Sequence, residues 1–348
     1  WDYAFDQKDL GNGRNPELYY QHSKTFLERC KNQQKPFYFM VNSHDPHRPY
    51  CNPDKLTKGA AMPSRTYSAD DVTVPGFLPD LPGVRQELAQ YMNSTRRLDD
   101  TFGRVMQALD ESGMADNTLV LFISDNGIAV PFAKCNTWFH SSRTPCLVRW
   151  PKVIRPNTSN NVDFVSVVDF FPTFLEVTGV SGPEGLDGTS FLPLLKGEKQ
   201  SGREYVYTQI DSKAGGDSVP MRAVQNSRFC YIYNPFSDQK HWYRNNNEGK
   251  TMAAMKAAKE AAKDFLLPDF MNGFLYQQFR AKWDKLIWRL FYLRLGVMYV
   301  YVVLTTLISA PSILSIPSPD GVGAHTVTES SSACVIAVVL TTLLALYE

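Results

Sequence analysis

Asp125, Asn126 and Gly127 follow directly on an uninterrupted apolar run, Thr118 to Ser124. Such a run reads as a buried parallel strand. Its carboxyl end delivers a carboxylate, an amide and a glycine into the crevice where open α/β sheets bind ligands. Two hard oxygen ligands side by side suit a hard cation such as Ca²⁺. Asp-Asn-Gly is also ordinary turn chemistry, so the strand before it is what gives the motif weight. A second constellation, His44-Asp45-Pro46-His47-Arg48-Pro49, follows a second apolar run, Pro36 to Val41. Two histidines three apart, an arginine and stiffening prolines make a cationic pocket for an anion. A histidine can also donate a proton to a leaving oxygen. The alternative is a structural turn with one histidine buried and hydrogen-bonded. Lys134 adds a point charge suited to a sulfate or phosphate oxygen. His140 and Arg143 are weaker candidates of the same sort. A metal corner and a cationic corner at two strand ends suggest an enzyme that handles an anionic ester.

The elements that must position these groups can be read from periodicity and punctuation. The start is polar and Gly/Asn-rich through Arg14, and a helix runs from Pro16 to about Lys31, with Asn15 as its cap. Residues 36–42 form a strand. Six prolines between Pro49 and Pro82 mark a long irregular excursion, and loops of that length are usually functional. Val84 to Ser112 is the best helix, with Leu88, Leu98, Phe102, Val105 and Leu109 at helical spacing and Gly113 as its stop. The strand 118–124, a short strand at 146–150, a helix over 162–178 broken near Pro172, and a short helix around 191–195 complete an α/β unit. From 203 the pattern changes to aromatic-rich strands at 205–210 and 222–233, a small antiparallel sheet. An Ala/Lys helix follows at 251–263.

The last part differs again. Leu295 to Ala310 carries no charge, and 286–310, flanked by Trp283 and holding Trp288 and Tyr292, is a candidate membrane segment, though a short one. Ala333 to Leu346 is a second apolar stretch, read as part of an apolar helical tail. The alternative is that this tail is foreign to the fold.

The bulk numbers exclude more than they identify. The chain has 348 residues, enough for one large domain and a smaller one, and 36 basic against 35 acidic residues give a net charge of +1. No global field favours nucleic acid or an acidic membrane. Six cysteines without a CxxC pair argue against a cysteine-built zinc site. Sequons at Asn93 and Asn157 would permit glycosylation. The chain opens on Trp without a signal-peptide pattern, which reads as a truncated or processed start.

Against this background the segment from Phe37 to about Tyr233 resembles the sulfatases of the alkaline-phosphatase superfamily, and within them the heparan N-sulfatase (N-sulfoglucosamine sulfohydrolase) type. The resemblance is carried by the run Phe39 to Pro49 with its His-Asp-Pro-His loop, by Leu98-Asp99-Asp100, and by Phe122 to Gly127. It continues through Arg143 to Pro151, Val168 to Thr173, Leu186 to Leu195, and Arg222 to Asn234. It implies an α/β fold: an alkaline-phosphatase-like mixed sheet flanked by helices, with a smaller C-terminal antiparallel sheet. It implies a Ca²⁺-dependent hydrolase of sulfate esters or sulfamates on glycosaminoglycan-like sugars. Its nucleophile would be a formylglycine made from a Cys/Ser-x-Pro-x-Arg motif. By position Asp125 and Asn126 match calcium ligands. His47 matches the histidine at the sulfate and leaving group, and Lys134 the residue that grips the sulfate. His44, Arg48 and His140 are expected at the substrate. A secreted, periplasmic or lysosomal location goes with the family.

The chain departs from the pattern at both ends; after residue 262 the apolar tail takes the place of the family's usual ending. About forty residues precede the histidine loop, and they hold neither the nucleophile motif nor the family's first two calcium aspartates. Ala61-Met62-Pro63-Ser64-Arg65 has Ala where Cys or Ser must stand, and Cys51-Asn52-Pro53-Asp54-Lys55 lacks the arginine. The expectation is therefore a partial catalytic domain at 1–200, an α+β subdomain at 201–264 and an atypical tail at 265–348, inactive by itself. Two other outcomes stay open: a remnant that binds sulfated glycans without turnover, and a phosphodiesterase or phosphonate hydrolase of the same superfamily.

Overall fold

The computed structural model describes residues 2–200, 203–212, 218–235, 249–263 and 334–340. Helix α1, Pro16–Gln33, starts where Asn15 accepts a hydrogen bond from the Glu17 amide at 3.1 Å, with Pro16 in the first turn. Helix α2, Pro82–Ser112, begins two residues before the sequence expectation and stops at Gly113, whose φ of 75° is left-handed. It is the spine of the molecule. Its Leu98, Val105 and Leu109 pack with Tyr19 and Leu27 of α1 and with Val120. Its Val84, Leu88 and Ala89 pack with Val72, Leu78, Val130 and Ala133. Each such side chain taken fully out of water contributes about 1.5–3 kcal/mol.

Strand β1, Tyr38–Met40, is shorter than the 36–42 expected, and β2, Thr118–Ser124, falls where its apolar run placed it. Helix α3, Phe139–Ser142, and strand β3, Cys146–Arg149, follow. Helix α4 spans Phe170–Thr178 after a 3-10 turn at Val167–Asp169, so residues 162–166 are not helical as expected. Pro172 lies in the first turn of α4, where its missing N–H removes no intrahelical bond. It therefore marks a beginning, not a break. Helix α5 is Leu192–Leu195, and Leu192 packs with Leu119, Trp150 and Val153 on the sheet's other face.

Strands β4, Val206–Ser212, β5, Ser218–Gln225, and β6, Cys230–Tyr233, form the expected antiparallel sheet, with Tyr207, Val224 and Tyr231 in one register row. Helix α6, Lys250–Lys263, packs on α2, where Gly83 leaves room for Ala254.

The apolar tail is corrected in part. Strand β7, Cys334–Leu340, lies between β1 and β2 and runs parallel to both; β3 closes the sheet antiparallel to β2. Val335, Ile336, Val338 and Val339 are β-branched and favour extended backbone. The two parallel edges on either side take up its backbone donors and acceptors. A helical reading of 333–346 is thus wrong over these seven residues. The candidate membrane segment at 286–310 lies outside the described residues. Among the described residues, no helix is long and apolar enough to cross a membrane.

Candidate active site

The loop after β1 is held by buried charge. The Asp45 carboxylate is fully buried and accepts from Arg97 through Nε at 2.7 Å and Nη2 at 3.0 Å, and from Arg14 Nε at 3.3 Å. Arg97 also donates to the carbonyl of Ala61 at 2.9 Å and to Cys51 Sγ at 3.4 Å. Arg14 also donates to the carbonyl of His47 at 2.9 Å. A buried ion pair survives only when further hydrogen bonds satisfy it, and here nearly every donor is used. The backbone around both histidines is thereby fixed. Asp45-Pro46 and Arg48-Pro49 are both cis.

His44 Nδ1 lies 2.8 Å from the carbonyl of Asn12, and His47 Nδ1 lies 2.6 Å from the carbonyl of Arg48. A carbonyl only accepts, so each Nδ1 carries the proton and Nε2 is the basic nitrogen. Burial pushes the pKa of His47 below the ordinary histidine value. The bond to Arg48 opposes this, and the charges of Lys134, His44 and Arg14 reinforce it. Lys134 therefore stands within electrostatic reach of this imidazole. Burial also lowers His44.

The second corner is exposed and held by short backbone ties. Asn126 N donates to Asp125 Oδ1 at 2.9 Å, Ser124 Oγ donates to the Asn126 carbonyl at 3.1 Å, and Gly127 N donates to the Ser141 carbonyl at 2.9 Å. A Cβ on Gly127 would lie 1.8 Å from the carbonyl oxygen of His140, so only glycine lets α3 approach the strand end. Phe132 and Cys135, both at φ 69°, flank Lys134, whose amide donates to the Ile128 carbonyl at 3.1 Å. His140 stacks on Phe77 with ring centroids 4.2 Å apart, and burial lowers its pKa.

Pro46 of the first loop, Ser124, Asn126 and Gly127 of the corner, and His140 and Arg143 beyond it line one cavity of about 910 Å³. Of the residues expected at the site, Asn126, His140 and Arg143 line this space, while His44, His47, Arg48, Asp125 and Lys134 do not. Two residues expected at the substrate also have partners within the chain: His44 with Asn12, and Arg48 with the buried Glu87 at 3.0 Å. Among the described residues no group of three or more His, Cys, Asp or Glu side chains is arranged to hold an ion. Asp125 and Asn126 offer two of the six to eight oxygens that Ca²⁺ takes.

Sequence reasoning missed Arg14, Arg97 and Glu87. A carboxylate between two histidines, directly after an apolar strand, is the signal that a buried cation must exist, but nothing local says which. It also missed Ser218-Val219-Pro220-Met221-Arg222, which satisfies Ser-x-Pro-x-Arg. That segment lies in β5 of the small sheet, with Arg222 paired to Asp211 at 2.6 Å, not in the sheet that bears the cavity.

The sulfatase family model matches residues 3–180, and the model of the N-sulphoglucosamine sulphohydrolase C-terminal region matches residues 131–263. The chain belongs to the sulfatase family. It is similar to human N-sulphoglucosamine sulphohydrolase, 29% identical over 276 residues that cover 70% of this chain and 54% of the human one. An ulvan-active sulfatase of Formosa agariphila is 28% identical over 206 residues, covering 59% of this chain and 39% of that one. A solved putative sulfatase of Bacteroides thetaiotaomicron aligns with TM-score 0.45 at 16% identity, covering 74% of this chain and 64% of that one. The chain spans about half the length, or less, of these curated relatives.

Proposed function

We propose that this chain forms part of a hydrolase of sulfate esters or sulfamates on glycosaminoglycan-like sugars. The observation that carries the reading is the single cavity onto which the histidine loop and the Asp125-Asn126-Gly127 corner both open. At the Pro46 edge of this cavity, Lys134 grips a sulfate oxygen, and His47, protonated at Nε2, donates to the leaving group. A positioned donor of this kind is worth about 10²–10³ in rate. Burial lowers the His47 pKa, so the donor form is held only on the acid side of the ordinary histidine value; a secreted, periplasmic or lysosomal location goes with the family. His44 holds the loop from behind, and Arg48 and His140 border the bound sugar. Asp125 and Asn126 are the ligands this chain gives to Ca²⁺. The remaining ligands, and a formylglycine nucleophile, belong to parts of the longer relatives that it does not match. Residues 1–200 form the partial catalytic domain, 201–264 the smaller subdomain.

Calorimetric titration of the purified chain with a sulfated monosaccharide, with and without Ca²⁺, tests the reading. Binding should weaken about tenfold or more in His47→Ala and in Lys134→Ala, and less in His44→Ala. Wild-type affinity in both of the first two variants sinks it. Release of sulfate from a chromogenic aryl sulfate by the chain alone is expected to be absent; observed turnover would refute the division of labour. A phosphate-ester control that binds better than the sulfate would move the chain to the phosphodiesterase class.

A further inference from the structure

The arginines around the two loops are nearly all occupied. Arg14 and Arg97 pair with Asp45, Arg48 with Glu87, and Arg85 with Asp80. Arg143 differs. It is exposed, it lines the cavity, and no carboxylate among the described residues pairs with it. Its guanidinium instead lies over the ring of Phe139, 5.0 Å from the centroid, and Phe139 lines the same cavity. An arginine held over an aromatic ring is partly pre-ordered, and its fork of donors matches an oxyanion. Among the described residues the cavity's one lining carboxylate, Asp71, already accepts from the amide and hydroxyl of Ser68 at 2.8 and 2.7 Å.

Size points the same way. At about 910 Å³ the cavity is near the upper end of the ~300–1,000 Å³ typical of small-molecule sites. Beyond the corner its walls are Leu88, Tyr91, Leu98, Phe122 and Phe139, which offer apolar surface to the faces of a second ring.

We propose that Arg143 is a specificity-determining residue. It takes a second oxyanion, on the sugar next to the one whose sulfate sits between His47 and Lys134. The substrate class is then a polyanionic saccharide of at least two residues, not an isolated sulfated sugar. This rests on the sulfate-handling reading of the site.

The test is calorimetric titration of the full chain with three disaccharides. All carry one sulfate on the first sugar; the second sugar is neutral, a uronate, or itself sulfated. The wild type should bind an anionic disaccharide about tenfold more tightly than the neutral one. The larger gain names the anion. Arg143→Gln should erase that ratio while leaving the neutral disaccharide unchanged, and Arg143→Lys should restore part of it. His47→Ala should weaken all three alike and keep the ratio. A ratio that survives in Arg143→Gln, or a wild type without one, overturns the proposal. If His47→Ala has no effect while Arg143→Gln erases the ratio, the sulfate site is misplaced and the role of Arg143 stands. Failure of every probe to bind overturns both.

Discussion

The loop at His44–Pro49 and the corner at Asp125–Gly127 border the same cavity and are built in opposite ways. The first is locked from within, by a buried carboxylate shared between two guanidinium groups. The second is presented at a strand end, with an exposed carboxylate, backbone hydrogen bonds and one forced glycine. On the reading proposed above, the first loop must aim a proton donor, and its backbone is fixed at the cost of burying charge. On the same reading, the carboxylate offered to Ca²⁺ is left at the surface. Damage to the first corner should therefore be felt as lost stability, and damage to the second as lost binding.

The largest effect expected is that of Arg97→Met, which strands Asp45 with one cation. Denaturant unfolding should show a loss of about 3–5 kcal/mol, the cost of breaking a buried pair. A loss below about 1 kcal/mol would mean that the loop is not held by this pair and would break the contrast. Gly127→Ala comes next. The added methyl has nowhere to go but the His140 carbonyl, and overpacking of that kind costs about 1–3 kcal/mol. An unchanged melting temperature would show that α3 does not need its close approach to the strand.

The pH response is smaller and has a definite sign. Burial depresses the pKa values of His44, His47 and His140 in the folded chain. In the unfolded chain each titrates near ~6.5. Below that pH the unfolded state takes up protons that the native state refuses, so stability is full above about 6.5 and falls as pH drops toward the folded values. Unfolding at pH 7.5 and 5.5 checks the slope. A His47 imidazole midpoint at or above the ordinary value, read by NMR, would contradict it. Asp125→Ala should do least to the fold, within about 0.5 kcal/mol, while removing the calcium response of sulfate binding. A large drop in stability, or an unaltered calcium response, would put this carboxylate on the structural side of the comparison.

Much of this was legible because the cues are local. Thr118–Ser124 announces a strand, its last residue announces a crevice, and Gly113 announces the end of α2. The histidine loop was legible as a cationic corner for the same reason. What holds it was not. Arg14 and Arg97 reach Asp45 across 31 and 52 positions, and no periodicity encodes such a pairing. That Arg48 already has an anionic partner was not legible either, because Glu87 lies 39 positions on, inside an amphipathic helix. The run 334–340 was misread because a β-branched stretch isolated by a long spacer gives no sign of the two strand edges that receive it. Neither was the Arg143 contrast visible, since which arginines are already neutralised is a tertiary fact.

Glu87 has a practical consequence. One of its oxygens holds Arg48, and the other receives the amide of Thr251 at 2.6 Å, from 164 positions away. Any shortened version that ends ahead of residue 249 removes one hand from that grip and leaves an under-satisfied anion sealed behind the imidazole loop. Trimming the chain at what looks like a spare peripheral helix would thus disturb the histidine loop, and sulfate binding lost after such an edit would say nothing about which residues touch the sugar.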